Sequence, residues 1–251
     1  MPLRISFFEE FPTKKNLEKL KLVNWPTKLY LAAKSLEEFE MLKRKNSTFR
    51  QVRKWIYWPI LEKKEGYWIS PFSKREALVR IFSELKDKRI PVMLDLELPT
   101  TQNPLLYFSQ LPFFFANKRL ISSFIQEYRG EVYLAEYYPE RRNAERVMEI
   151  LGIHYKNKRT KVIKMFYHSV HNFGEKFLRD ELQLGKKEFQ KKYLLAYGTI
   201  SSGIAGNEPL LKPEILHKDL LLAQKNMISE IVIFRLGGLN KKYVKIIEKF
   251  V

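Results

Sequence analysis

The chain has 251 residues and a mass of 30.1 kDa, is 45% hydrophobic and 14% aromatic, and contains no cysteine. So apolar a chain can bury a large core, which excludes disorder and collagen-like repeats. Without cysteine there is no disulfide scaffold, thiolate zinc site, iron–sulfur cluster or cysteine nucleophile. The 46 Lys plus Arg against 28 Asp plus Glu give a net charge of +18. That charge attracts phosphates, nucleic acid or anionic lipid, unless it is a lysine-rich solvated exterior of the thermophile kind.

The first residues, Met-Pro-Leu-Arg-Ile-Ser-Phe-Phe-Glu-Glu, lack the apolar core and cleavage site of a signal peptide. Eight short β-rich runs then follow in order: Leu3–Phe8, Lys28–Ala33, Trp55–Ile60, Pro91–Glu97, Glu131–Tyr137, Lys161–Tyr167, Tyr193–Gly198 and Glu230–Leu236. Helix-like stretches lie between them, among them Ser35–Lys45, Lys74–Lys88, Asn143–Leu151 and Lys241–Phe250. Ser35 with Glu38, and Ser73 with Glu76, have capping-box spacing. Strands alternating with helices imply right-handed βαβ units, and eight in this length predict an α/β fold, a single (β/α)8 TIM barrel over residues 1–251. A doubly wound open sheet is the alternative, but Glu9-Glu10-Phe-Pro-Thr follows the first strand where a phosphate-binding Gly motif would stand.

The third unit is irregular: after Trp55–Ile60, the run Tyr67-Trp68-Ile69-Ser70 reads either as a hairpin strand or as an active-site loop. The connection after the fourth strand, Pro99 to Arg129, is long, and its apolar window from Pro104 to Ala116 spans 13 residues. A membrane span needs roughly 20. No membrane span is therefore expected, and a soluble cytoplasmic protein is. The window is either a kinked helix buried on the barrel wall or an exposed lip.

In a barrel, chemistry sits where the strands end. The two-residue period of strand four turns Val92, Leu94 and Leu96 toward the helices and Met93, Asp95 and Glu97 inward, stacking two carboxylates roughly 7 Å apart at the mouth. Mutual repulsion and burial raise one pKa, as general acid catalysis requires. Glu9, Glu10 and Glu136 also end strands and His168 follows one; with a divalent ion these would form a site, but no metal or cofactor is expected.

Asp95-Leu-Glu97 resembles the terminal Asp-x-Glu of the family 18 glycoside hydrolases, the chitinase-like barrels, and Met165-Phe-Tyr167-His168 resembles that family's Met-x-Tyr-Asp segment. The resemblance implies Glu97 as the acid that protonates the glycosidic oxygen. It implies Asp95 as the carboxylate orienting a substrate acetamido group that attacks from within, and Tyr167 as its support. Ile90 and Met93 stand where the family's longer motif has aspartates, His168 replaces the Asp, and Phe234-Arg235 ends strand eight where a Trp is expected. A carbohydrate, such as an N-acetylamino sugar polymer, is the ligand so implied, with Glu9, Glu10, Glu136, Tyr137, Trp58, His168 and Arg235 as further contacts. Tyr138 and the cluster Trp55, Tyr57, Trp58, Tyr67 and Trp68 supply rings on which sugar faces stack.

Strands seven and eight admit a different chemistry. Gly198, Ser201, Ser202, Gly203, Gly237 and Gly238 follow them and would form an amide cradle for a phosphorylated ligand, with Arg235 as charge partner. Lys164 within strand six suits a Schiff base only if it faces inward, which opposes an inward Tyr167. A third class is a binding barrel that holds an anionic polymer on Lys43-Arg44-Lys45, Lys156 to Lys161, Lys186-Lys187 or Lys191-Lys192.

Overall fold

The computed structural model describes residues 2–100, 103–137 and 144–251; Tyr138 and Asn143 lie outside the described residues. The eight strands are β1 (Arg4–Glu9), β2 (Thr27–Ala33), β3 (Val52–Pro59), β4 (Val92–Leu96), β5 (Val132–Tyr137), β6 (Lys161–Phe166), β7 (Tyr193–Gly198) and β8 (Glu230–Phe234). All pair in parallel in chain order, and β1 closes on β8 through Arg4↔Glu230 to Phe8↔Phe234. The described helices are α1 (Lys14–Leu17), α2 (Leu36–Lys45), α3 (Arg75–Leu85), α4 (Leu106–Ser109), α5 (Phe114–Glu127), α6 (Ala144–Leu151), α7 (Glu175–Phe189), α8 (Pro213–Lys225) and α9 (Lys241–Ile247). This is a (β/α)8 barrel, and the open-sheet alternative falls.

Strand parity divides the apolar side chains into two layers. Ile5, Phe7, Leu29, Leu31, Val92, Leu94 and Leu96 pack outward against the helices. Phe8, Tyr30, Ile56, Trp58, Met93, Tyr133, Ile163 and Met165 fill the barrel. Tyr30 meets Tyr133 edge-on at 5.2 Å and Phe8 at 5.1 Å, so an aromatic floor closes the interior below Trp58. Ser35 caps α2 by accepting from the Glu38 amide at 3.2 Å. Ser73 does not cap α3: its hydroxyl is drawn into the preceding turn, donating to the Trp68 carbonyl at 2.7 Å and accepting from the Ser70 amide, and Lys74 holds the cap position.

Tyr67–Ser70 forms a loop, with Ile69 donating its amide to the Asp95 carbonyl at 2.9 Å. The apolar window after β4 is an exposed lip: Phe108 and Phe115 are each 80% exposed. Among the described residues no helix is long and apolar enough to cross a membrane.

Many strand-start lysines are committed to ion pairs at the barrel's base. Lys28 reaches both Glu230 oxygens at 2.7 Å, Lys54 meets Glu131 at 2.7 Å, and Lys161 bonds the same Glu131. Burial works to raise the Glu131 pKa, but hydrogen bonds and charge from Lys161 and Lys54 outweigh it and bring it to about 2. A depressed carboxylate stabilises the fold above its unfolded value of 4.5, and that contribution is lost as pH falls toward 2. Glu131→Gln is therefore expected to flatten the fall of unfolding free energy between those two pH values, and to cost only about 1 kcal/mol at neutral pH because the carboxylate is partly solvated. Urea titrations at stepped pH would read both effects, and an unchanged acid slope would refute the pairing.

Candidate active site

β4 delivers the central pair. Its inward face carries Met93 into the barrel interior and then Asp95, which is 5% exposed, and Glu97 continues that face into the mouth. The two acids open into a cavity of about 270 Å³. Its walls are Phe8, Trp58, Trp68, Tyr137, Tyr167 and Phe234, its floor includes Ala135 and Met165, and two further carboxylates, Glu10 and Glu208, complete the lining. Among the described residues, lysine and arginine contribute nothing to that lining, although the chain as a whole carries +18.

Removal from water dominates the electrostatics of these acids. Burial holds Asp95 well above the usual carboxylate range, and the neighbouring Glu97 and Glu10 charges push it further. Burial also pushes Glu97 up to about 7. Burial thus biases both carboxyls toward their protonated forms, and Glu97, at about 7, is poised to hold or release a proton. Glu10 is likewise raised to about 7 by burial, with the Glu208 and Glu97 charges adding to the rise while the Tyr67 hydroxyl, 2.8 Å away, and Arg235 oppose it. Asp95 Oδ1, Glu10 Oε2, Glu208 Oε2 and the Trp58 indole nitrogen are buried without a hydrogen-bond partner, so these four polar atoms of the cavity lack what a ligand would supply.

Of the residues singled out from the sequence, Asp95, Glu97, Tyr167, Glu10, Tyr137 and Trp58 are brought together around this cavity. Tyr137 is held by a hydrogen bond between its hydroxyl and His171 Nε2, and Tyr167 packs on Phe234 with ring centroids 5.7 Å apart.

Four others are placed elsewhere. Glu9 shares the outward parity of Ile5 and Phe7; its carboxylate accepts from the Phe11 amide, the Gly237 amide at 2.6 Å and Arg235 at 3.0 Å. Arg235 is thereby turned from the cavity, with its Nε donating to the Ser202 carbonyl. Glu136 lies on the outward face of β5, bonded to Lys164 at 2.5 Å and His154 at 2.8 Å. His168 turns to the helix layer, its Nδ1 2.8 Å from Asp219. Lys164 accordingly points away from the interior, Met165 and Tyr167 point in, and the Schiff-base reading falls.

The phosphate cradle is not formed either. The Gly237 amide is spent on Glu9 and the Ser202 carbonyl on Arg235. A Cβ on Gly238 would strike the Ile200 carbonyl oxygen at 1.9 Å, and Gly198 lies against the Phe234 carbonyl, so these glycines serve to pack the two loops together. Gly203 does reach the cavity, but between carboxylates. Trp55 and Tyr57 have outward parity, Tyr57 packing on Phe39 at 5.1 Å. Among the described residues the one cluster with metal-ligand spacing is Glu145, Glu149 and His154 on and after α6, where the Lys156 ammonium already sits 2.7 Å from Glu145. Sequence reasoning missed Glu208, for which no motif exists, and gave Trp68 only as part of an aromatic cluster.

No protein-family model and no curated protein matches the chain. Its fold is similar to the glycoside hydrolase domain of PgaB (BpsB) from Bordetella bronchiseptica, at 10% identity and a TM-score of 0.53, covering 98% of this chain and 96% of that one. A chitinase from Chromobacterium violaceum gives 8% identity and a TM-score of 0.53, with 98% of each chain covered. A xylanase–α-amylase inhibitor protein complexed with trehalose gives 10% identity and 0.51, over 99% and 97%. At such identities the likeness is one of fold. The class so defined is a (β/α)8 barrel with the architecture of the chitinase-like barrels.

Proposed function

We propose that residues 1–251 form one domain that cleaves glycosidic bonds in a carbohydrate, with Glu97 as the acid. The observation that carries this reading is the inward Asp95/Glu97 pair over an aromatic-walled cavity, with the Glu97 carboxyl at about 7. An acid whose pKa lies near working pH is protonated often enough to donate and loses its proton readily to a departing oxygen. The rings of Trp58, Trp68 and Tyr137 offer apolar surface to sugar faces. Two of the fold neighbours named above are by name a glycoside hydrolase domain and a chitinase, which favours the same substrate class.

Following the resemblance read from the sequence, Asp95 would orient an acetamido group while Tyr167 supports it, and that group would attack the anomeric carbon as Glu97 protonates the leaving oxygen. Water then opens the resulting cyclic intermediate, with Glu97 removing its proton, so the anomeric configuration is kept.

The test is an oligosaccharide panel, acetylated and not, read by mass spectrometry, with proton NMR following the anomer first released. Cleavage with retained configuration is expected for an N-acetylamino sugar. Inversion would overturn substrate assistance, and binding without cleavage would leave a sugar-binding barrel.

A further inference from the structure

The substrate-assisted scheme uses the two acids of β4, yet the mouth has a second pair that it leaves idle. Glu10 follows β1, and Glu208 lies in the loop after β7. They face each other across Gly203, since a Cβ built there would lie 3.0 Å from Glu10 Oε2 and 2.9 Å from Glu208 Oε1. The two oxygens are thus within about 6 Å of one another, a span that one ammonium can bridge with two charge-assisted hydrogen bonds. Glu10 is 3% exposed and its Oε2 has no partner; Glu208 Oε2 is buried without one too. Glu10 Oε1 accepts from the Tyr67 hydroxyl at 2.8 Å and Glu208 Oε1 from the Ala205 amide at 3.2 Å. A buried carboxyl beside a half-buried one, each with its second oxygen unfilled, calls for positive charge.

Among the described residues the cavity lining itself provides none. Arg235, which influences Glu10, is bonded to Glu9 and the Ser202 carbonyl. A divalent cation fits poorly, because it seeks six or more oxygens, whereas no three potential ligand atoms of the mouth converge among the described residues. An ammonium needs only two or three acceptors. Its attached carbon skeleton would rest on Phe234, which also approaches Gly203, at 3.0 Å from the built Cβ.

We propose that Glu10 and Glu208 form an ammonium-binding subsite, so that the saccharide bound in this cavity carries a free amino group beside the reacting sugar. The subsite deepens the carbohydrate reading and rests on it for the word saccharide; the ammonium recognition stands on its own geometry. Because β1 and β4 are three strands apart in the closed barrel, the two acid pairs approach the ligand from different sides. An acetamido sugar at Asp95 and Tyr167 and an amino sugar at Glu10 and Glu208 describe a partly de-N-acetylated chain.

Binding would be followed by quenching of tryptophan fluorescence, since Trp58 and Trp68 line the cavity. The probes are a glucosamine tetramer, its fully N-acetylated counterpart, and 1,5-diaminopentane as a sugar-free ammonium. The glucosamine tetramer is expected to bind about 10-fold or more tighter than the acetylated one, the worth of one charge-assisted contact. Glu208→Gln, on an exterior loop, is expected to bring that ratio to about 1, and Glu10→Gln provides the same reading should the first variant misfold. Equal affinity for both tetramers in the native protein, or a ratio that survives both substitutions, overturns the subsite. Diamine binding that Glu208→Gln abolishes, with neither tetramer bound, supports the subsite and removes the carbohydrate reading. Binding of the acetylated tetramer alone does the reverse, and binding of none of the three overturns both.

Discussion

Glu97→Gln is expected to lower kcat for glycoside cleavage by about 10²–10⁴-fold while KM moves only a few-fold. The amide keeps the shape and the hydrogen-bonding reach of the side chain but has no acidic proton to give to the departing oxygen. Uniform binding is thus preserved and an interaction made only in the transition state is lost, a difference of about 3–5 kcal/mol in barrel-catalysed activation free energy. The native protein should reveal the same group through pH. Because burial raises Glu97 to about 7, its acid form dominates below that value and disappears above it, so kcat should decline as pH rises through about 7. In Glu97→Gln the residual rate should no longer show that decline. Full turnover in the variant would remove Glu97 from the reaction.

Asp95 provides the contrast. Its carboxyl is held well above the ordinary range by burial and by the Glu97 charge, which favours the form able to donate a hydrogen bond. A hydrogen-bond donor of the same shape survives in Asp95→Asn but not in Asp95→Ala, and the two substitutions should differ in severity, with the amide milder. Their order separates an orienting role from a purely electrostatic one, since neither variant can ionise and only the amide keeps a hydrogen-bonding group.

The residues that could be placed from sequence are those for which a periodic pattern exists. The eight strands are dense in apolar and β-branched residues between polar breaks, and β4 alternates cleanly enough that Met93, Asp95 and Glu97 could be turned inward before any coordinates. The same parity, applied to β1 and β5, puts Glu9 with Ile5 and Phe7, and Glu136 with Val132 and Leu134, on the helix-facing side. Ending a strand places those two acids at the depth of the mouth without turning them into it. Position along a strand sets depth in a barrel, but parity sets the side. Lys164 was a further signal, being the direct cross-strand partner of Glu136. His168 and Arg235 lie beyond regular structure, where no period applies, and their directions follow from Asp219 and Glu9, distant in sequence. Glu208 belongs to a loop whose path depends on the packing of Gly238 against Ile200, which no local pattern announces. The overall charge misled in a similar way: +18 describes the exterior and the ion-paired base, while the cavity is lined by acids.

Glu136→Ala is expected to cost about 3–5 kcal/mol of stability, the largest loss of any single change to the ion pairs among the described residues, and to lower the melting temperature by about 10 °C. Glu136 is fully buried, and its Oε2 meets Lys164 at 2.5 Å and His154 Nδ1 at 2.8 Å; His154 Nε2 continues to Glu145 at 3.1 Å. Burial alone would raise the Glu136 pKa, yet the Lys164 and His154 contacts outweigh it and bring it below the ordinary value. Alanine deletes the carboxylate that faces a buried ammonium while leaving the ammonium in a low-dielectric layer, and the desolvation cost of Lys164 is then no longer offset by that charge. The pH sign follows from the depressed pKa. Stability from this pair is present above the unfolded carboxylate value and is lost as pH falls through the lower folded one, so the gap between native and Glu136→Ala should close in acid. Combining Glu136→Leu with Lys164→Met removes both charges and fills the space, and is expected to restore most of the loss, because a well-packed apolar pair matches a buried ion pair in stability. Urea unfolding of the native protein, the single variant and the double variant would measure this. A double variant as unstable as Glu136→Ala would mean that β5 and β6 depend on the charges themselves. Recovery would mean that the network specifies how those strands seat against α6 without adding net stability.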